Sequence, residues 1–134
     1  MQAAFLEIAM TTVVRPPTTR GKTVILWAAT SILAIFFILM GLPKVLGQTG
    51  WASRFGAWGY PDWFLSVVGL GEIAGGILLM IPSFARLGAA VLATIMVGAA
   101  GTHAWYGELP RIILPMVLLV LVTLVGRARQ RRTR

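Results

Sequence analysis

Apolar runs long enough to cross a bilayer constrain this chain more than any other feature. A hydrocarbon core of about 30 Å needs roughly 20 apolar residues in a helix. Thr23 to Leu42 is one such run, carries no charge and ends before Pro43. Trp63 to Ile81 holds a single charge, Glu72, and stops at Pro82. Leu87 to Tyr106 has no formal charge and contains His103. Ile112 to Val125 follows Pro110 and Arg111 and is short for a span, at about 14 residues against the usual 20. It needs Gly126 or a smaller tilt to cross, with a re-entrant segment as the alternative. The runs are continuous rather than alternating, which argues against strands. The expected fold is therefore all-α: a polytopic four-transmembrane-helix bundle with spans at about 23–42, 63–81, 87–106 and 112–125. An outer interfacial loop, 43–62, joins the first two. A flexible leader, 1–22, precedes the bundle and a basic tail, 127–134, follows it.

Charge fixes the expected orientation. Only 12% of the 134 residues are charged, yet the formal net charge is +8. With four spans, the N-terminus, the 82–86 loop and the C-terminus share one side. That side carries Arg15, Arg20, Lys22, Arg86, Arg127, Arg129, Arg131, Arg132 and Arg134; the other carries Lys44, Arg54 and Arg111. Positive charge collects on the cytoplasmic side of membrane proteins, so both termini are expected there. The arginine-rich tail follows a hydrophobic span directly. It reads as a topology determinant that also attracts anionic lipid, not as a nucleic-acid site. The first run is too long for the apolar core of a signal peptide and lacks a small-residue cleavage site after it, so it is read as a retained helix. In the leader, Arg15-Pro16-Pro17 breaks any helix begun at Ala3 to Met10.

The chain has no cysteine and one histidine. That excludes a disulfide framework, a thiol–disulfide oxidoreductase, a zinc-thiolate site, a Cys-ligated iron–sulfur cluster and a bis-histidine haem. No metal site and no covalently bound cofactor are expected.

Candidate site residues are the polar groups inside the spans. Glu72 stands about nine residues into its run, roughly 13 Å deep at 1.5 Å per residue. An ionised acid there costs on the order of 3 kcal/mol, so it must face the bundle interior, be protonated or pair. Gly69, Glu72, Gly76 and Leu79 share one face with Gly75 beside it, and small residues let a neighbouring helix approach. Glu72 is thus either a proton-handling or ligand-binding carboxylate or a protonated acid bonded to a neighbour. Thr30, Ala34, Phe37, Gly41 and Lys44 form a second stripe. Lys44 either snorkels to the headgroups or serves a site. A lysine reaches only about 6 Å, so a cavity holding water or ligand is expected between Lys44 and Glu72 rather than a direct bridge.

His103 lies near the outer end of the third run, above a small and polar face of Thr94, Gly98, Gly101 and Thr102. It is either a ligand group or an ordinary hydrogen-bonding residue. In the outer loop, Trp51, Phe55 and Trp58 recur at i, i+4 and i+7, which predicts a short helix in the interface. That helix either anchors the loop or caps an outward-opening cavity. Convergence of these faces would give a polar pocket walled by Trp58, Tyr60, Trp63, Trp105 and Tyr106, suited to an aromatic or quinone-like head group.

Together these residues resemble the DoxX-like family of small bacterial membrane proteins. The first helix ends in Phe37-x-x-x-Gly41-x-x-Lys44, continuing Val45-Leu46-Gly47, and the loop carries Gly59-Tyr60-Pro61 followed by Trp63. The second helix reads Gly69-x-x-Glu72-x-x-Gly75-Gly76-x-x-Leu79-x-x-Pro82, followed by Arg86 and Gly88 and then Gly98-Ala99 and Thr102-His103. The likeness spans about residues 23 to 126. It implies a four-helix bundle in the bacterial inner membrane. Relatives are similar to small subunits of thiosulfate:quinone oxidoreductase, and others are linked to membrane-associated oxidative-stress complexes. No catalytic residue can be carried over; Lys44, Glu72 and His103 match family positions as candidates.

The leading functional expectation is a small accessory subunit of a membrane redox system that binds a quinone or another lipid-soluble molecule. Its electrons would come from an oxidoreductase partner. A proton-coupled transporter of small hydrophobic cations and an assembly protein with no ligand are the competing pictures; a homo-oligomer is a further possible assembly. Small multidrug transporters carry their membrane glutamate in the first helix, which here has none.

Overall fold

The computed structural model describes residues 19–130. Five helices follow one another: α1 (Thr19–Val45), α2 (Thr49–Ala57), α3 (Asp62–Met80), α4 (Ala85–Trp105) and α5 (Leu109–Gln130). Four of them, all but α2, are long and apolar enough to cross a membrane, and no strand occurs among the described residues. The chain is a multi-pass membrane protein. α1 packs chiefly on α3, and α4 lies between α3 and α5. The core joins Leu33 and Phe37 of α1, Leu79 of α3, Leu92 and Met96 of α4, and Leu118 and Val122 of α5.

Three expected boundaries are corrected. α5 is a full 22-residue helix beginning at Leu109, not a marginal 14-residue segment. Pro110 sits in the first turn, where an N–H has no helical partner to lose. Arg127 to Gln130 continue the helix, so much of the expected basic tail is its last turn. α1 likewise runs through Pro43 to Val45, because one missing donor near a helix end costs a single bond to the Leu39 carbonyl. Residues 19–22 belong to α1 rather than to a leader. The rest of the leader and residues 131–134 lie outside the described residues.

Arg129 was read as part of the tail, yet it is buried. Its guanidinium lies 3.7 Å from the centre of the Trp27 ring and its Nε donates to Thr30 Oγ1 at 3.3 Å. A planar cation stacks readily on an indole face, and the contact ties the ends of α1 and α5 together.

Both polar stripes face inward as their spacing requires. Thr30, Ala34, Phe37, Gly41 and Lys44 are all buried, as are Gly69, Glu72, Gly75, Gly76 and Leu79. The glycines set the helix separations. A Cβ on Gly41 would stand 2.5 Å from the Gly69 carbonyl oxygen, and one on Gly76 would stand 2.8 Å from that of Ala34. α3 and α4 meet as closely at their inner ends, where a Cβ on Gly88 would come within 2.6 Å of the Leu79 nitrogen. Farther along α4, a Cβ on Gly98 or on Gly101 would meet nothing within 4 Å.

Candidate functional site

A cavity of about 640 Å³ lies in the half of the bundle that carries α2, within the usual range for small-molecule sites. All four long helices line it and α2 covers it. The cover is built from the expected aromatic face: Phe55 is buried, and Trp51, Phe55 and Trp58 all line the cavity. Val67 and Gly98, on adjacent helices, both line the cavity and stand exposed. The space thus opens sideways toward lipid, not only toward water.

At the deep end Lys44 and Glu72 form a direct ion pair. The ammonium donates to Oε1 at 2.6 Å and to Oε2 at 2.5 Å, with side chains only 6% and 4% exposed. This corrects the expected gap between them. Gly41 faces Gly69 and Ala34 faces Gly76, so Lys44 is level with about Ser66 and Glu72 lies some six residues deeper, about 9 Å along the axis. Side chains lean toward the N-terminus of their own helix. In an antiparallel pair, Lys44 leans inward and Glu72 leans outward, and the two close the distance. Trp51 completes the arrangement, its ring centre 4.5 Å from Nζ, a cation–π contact.

At the outer end His103 lines the cavity with its side chain mostly enclosed. Its Nδ1 lies 2.7 Å from Glu108 Oε2, and Arg111 donates to Glu108 Oε1 at 2.6 Å. These contacts, the His103 hydrogen bond foremost, hold the Glu108 carboxyl below the usual carboxylate range. Local chain geometry delivers this pair. α4 ends on Gly107 at φ 71°, a left-handed conformation that glycine adopts without cost. The Glu108 N–H then bonds the His103 carbonyl at 2.8 Å, the outer bond of a Schellman closure, which turns the acid back against the imidazole.

The same motif ends α2. Gly59 adopts φ 73° and the Tyr60 N–H bonds the Phe55 carbonyl at 3.0 Å. Tyr60 is thereby aimed at α4, where its hydroxyl meets Thr102 Oγ1 at 2.7 Å. Trp58 stands perpendicular to the His103 ring at 5.3 Å, and its carbonyl accepts from the Tyr106 hydroxyl.

The structure therefore brings together Lys44, Glu72, His103, Trp58 and Tyr60. It leaves out three of the expected walls: Trp63 is 64% exposed, Trp105 85% and Tyr106 45%, and none of them lines the cavity. The two tryptophans sit at the ends of their helices, where an outward indole suits the headgroup zone. The sequence reading did not include Glu108, nor Trp51 among the ligand-binding candidates. An acid one residue past a glycine that ends a helix near a histidine was a usable signal for the first; nothing in the sequence aimed Trp51 at Lys44. Among the described residues no group of three His, Cys, Asp or Glu could hold a metal ion. What the arrangement offers is an apolar, aromatic chamber with an ion pair at one end and hydrogen-bonding groups at the other.

In comparison with known proteins, the model of the DoxX-like family matches residues 28–125. No curated protein and no solved structure matches the chain.

Proposed function

The chain belongs to the DoxX-like family, and from that premise we propose that it binds a lipid-soluble, quinone-like molecule in the outer cavity. One observation carries the reading: a chamber of about 640 Å³ whose apolar mouth faces lipid and whose two ends are polar. An amphipathic ligand with a polar ring and an apolar tail satisfies both features, since each polar group it buries finds a partner. In this proposal the protein sits in the bacterial inner membrane with both termini cytoplasmic. It acts as an accessory subunit, contributing the binding site while a partner oxidoreductase supplies the electrons. The direct Lys44–Glu72 pair weighs against a transporter whose lone membrane carboxylate must load and release protons. Here that carboxylate already has a cation on both oxygens.

Purification from native membranes under mild conditions, followed by mass spectrometry of bound proteins and lipids, tests the proposal. The expected result is a quinone or similar redox-active lipid with an oxidoreductase partner. Gly98→Phe, which places a ring in the open mouth, should remove the small molecule while leaving the fold intact. Recovery of bulk phospholipid alone would count against the reading. Proton-coupled dye efflux, lost in Glu72→Gln, would replace it with transport.

A further inference from the structure

The outer end of the cavity presents hydrogen-bond acceptors. An ionised carboxylate only accepts. Glu108 receives Arg111 on one oxygen and faces His103 Nδ1 with the other, so Nδ1 carries the ring proton. In the neutral imidazole the second nitrogen, Nε2, is then a bare lone pair. The neighbouring hydroxyls are fixed by the same logic. Thr102 spends its proton on the Gly98 carbonyl at 3.0 Å. The 2.7 Å contact with Tyr60 must therefore be donated by Tyr60, which leaves the phenolic oxygen with free acceptor capacity. His103 and Tyr60 both line the cavity. The Lys44 ammonium lies at the opposite end and is committed to Glu72 and the face of Trp51.

We infer that the cavity selects ligands whose ring carries a hydroxyl, the phenol and hydroquinone class, with His103 Nε2 and the Tyr60 oxygen as the receiving atoms. This rests on the reading that the cavity binds a lipid-soluble molecule, and it specifies which form of that molecule is held. A hydroxyl meets a waiting acceptor. At these two atoms a ring bearing only carbonyl or ether oxygen sets lone pair against lone pair and leaves both desolvated without a partner.

Two probes of matched shape separate the alternatives: 4-heptylphenol, which donates, and 4-heptylanisole, which cannot. Each is titrated calorimetrically into the full-length protein in detergent at pH 8, with empty micelles as the blank. The phenol should bind about tenfold more tightly, the effect of one good buried hydrogen bond. The preference should fall toward unity in His103→Phe and shrink in Tyr60→Phe. Equal affinity for the two probes in the wild-type protein would overturn this inference and leave the cavity reading standing. A phenol preference that survives both substitutions would overturn the assignment of the acceptors. Binding of neither probe would overturn the inference and the cavity reading together.

Discussion

Replacing Glu72 by Gln should destabilise the bundle far more than a polar-for-polar exchange suggests. The ammonium of Lys44 touches both carboxylate oxygens, at 2.6 and 2.5 Å, and both side chains are almost wholly enclosed. At an effective dielectric of about 20, charges this close attract by roughly 6 kcal/mol. The folded pair has already met the cost of leaving water, so loss of one charge strands the other. Breaking a buried pair in this way costs about 3–5 kcal/mol. The Trp51 face stays on Lys44 in parent and variant alike, so it offsets none of this, and the expected loss for Glu72→Gln is about 3–5 kcal/mol. The double variant Lys44→Met, Glu72→Leu removes both charges and keeps comparable volume, so it should lie within about 1–2 kcal/mol of the parent. Reversible unfolding in mixed micelles, across the parent, Lys44→Met, Glu72→Leu and the double variant, gives the coupling energy directly. Additive single-variant effects, or a Glu72→Gln protein as stable as the parent, would refute the argument that the pair is buried and mutually dependent.

Other outcomes follow from the packing and the charges. Gly88→Ala should cost at least about 1–3 kcal/mol, because its Cβ would meet backbone atoms of Leu79 and Gly75 at 2.6 and 2.7 Å. Gly98→Ala, which meets nothing, should be neutral or slightly stabilising through helix propensity; the same unfolding assay distinguishes them. Because the Glu108 carboxyl lies below its ordinary value of 4.5 in the folded protein, its contribution is complete above that value. It is lost only as the pH falls below it. Hydrogen exchange at the Gly107–Glu108 turn, corrected for the intrinsic pH dependence of exchange, should therefore show steady protection from pH 7 to 5 and loosening under stronger acid. Loosening already between pH 7 and 5 would contradict this. For orientation, a cysteine at Gln48 should label from outside intact cells and one at Thr133 should not; the reverse pattern would invert the expected topology.

Much of the site was legible because helical spacing is a local property. The inward stripes ending at Lys44 and running through Glu72, and the short aromatic helix ahead of Trp58, all follow from which residues fall on one face. The limits were equally local. Pro43, Pro110 and Arg111 look like boundaries when read alone, but a proline near a helix end breaks little and a cation at the interface is tolerated. Counting depth from the edge of each run also assumed that the first two spans begin at one level, whereas α3 extends outward past Lys44.

What the sequence by itself determined is the set of four spans and the faces they bury. Both come from the length of apolar runs against bilayer thickness and from a period of about 3.6 residues per turn. What only the tertiary structure decided is which polar groups meet. The Lys44–Glu72 pair depends on the axial register fixed where Gly41 approaches Gly69, and on the antiparallel sense that leans the two side chains together. The cavity depends on four long helices and α2 each bringing side chains to one space. Trp58 and Tyr60 turn in while Trp63 and Trp105 turn out because each helix's rotation is settled by its partners, and that information is spread over residues far apart in the chain.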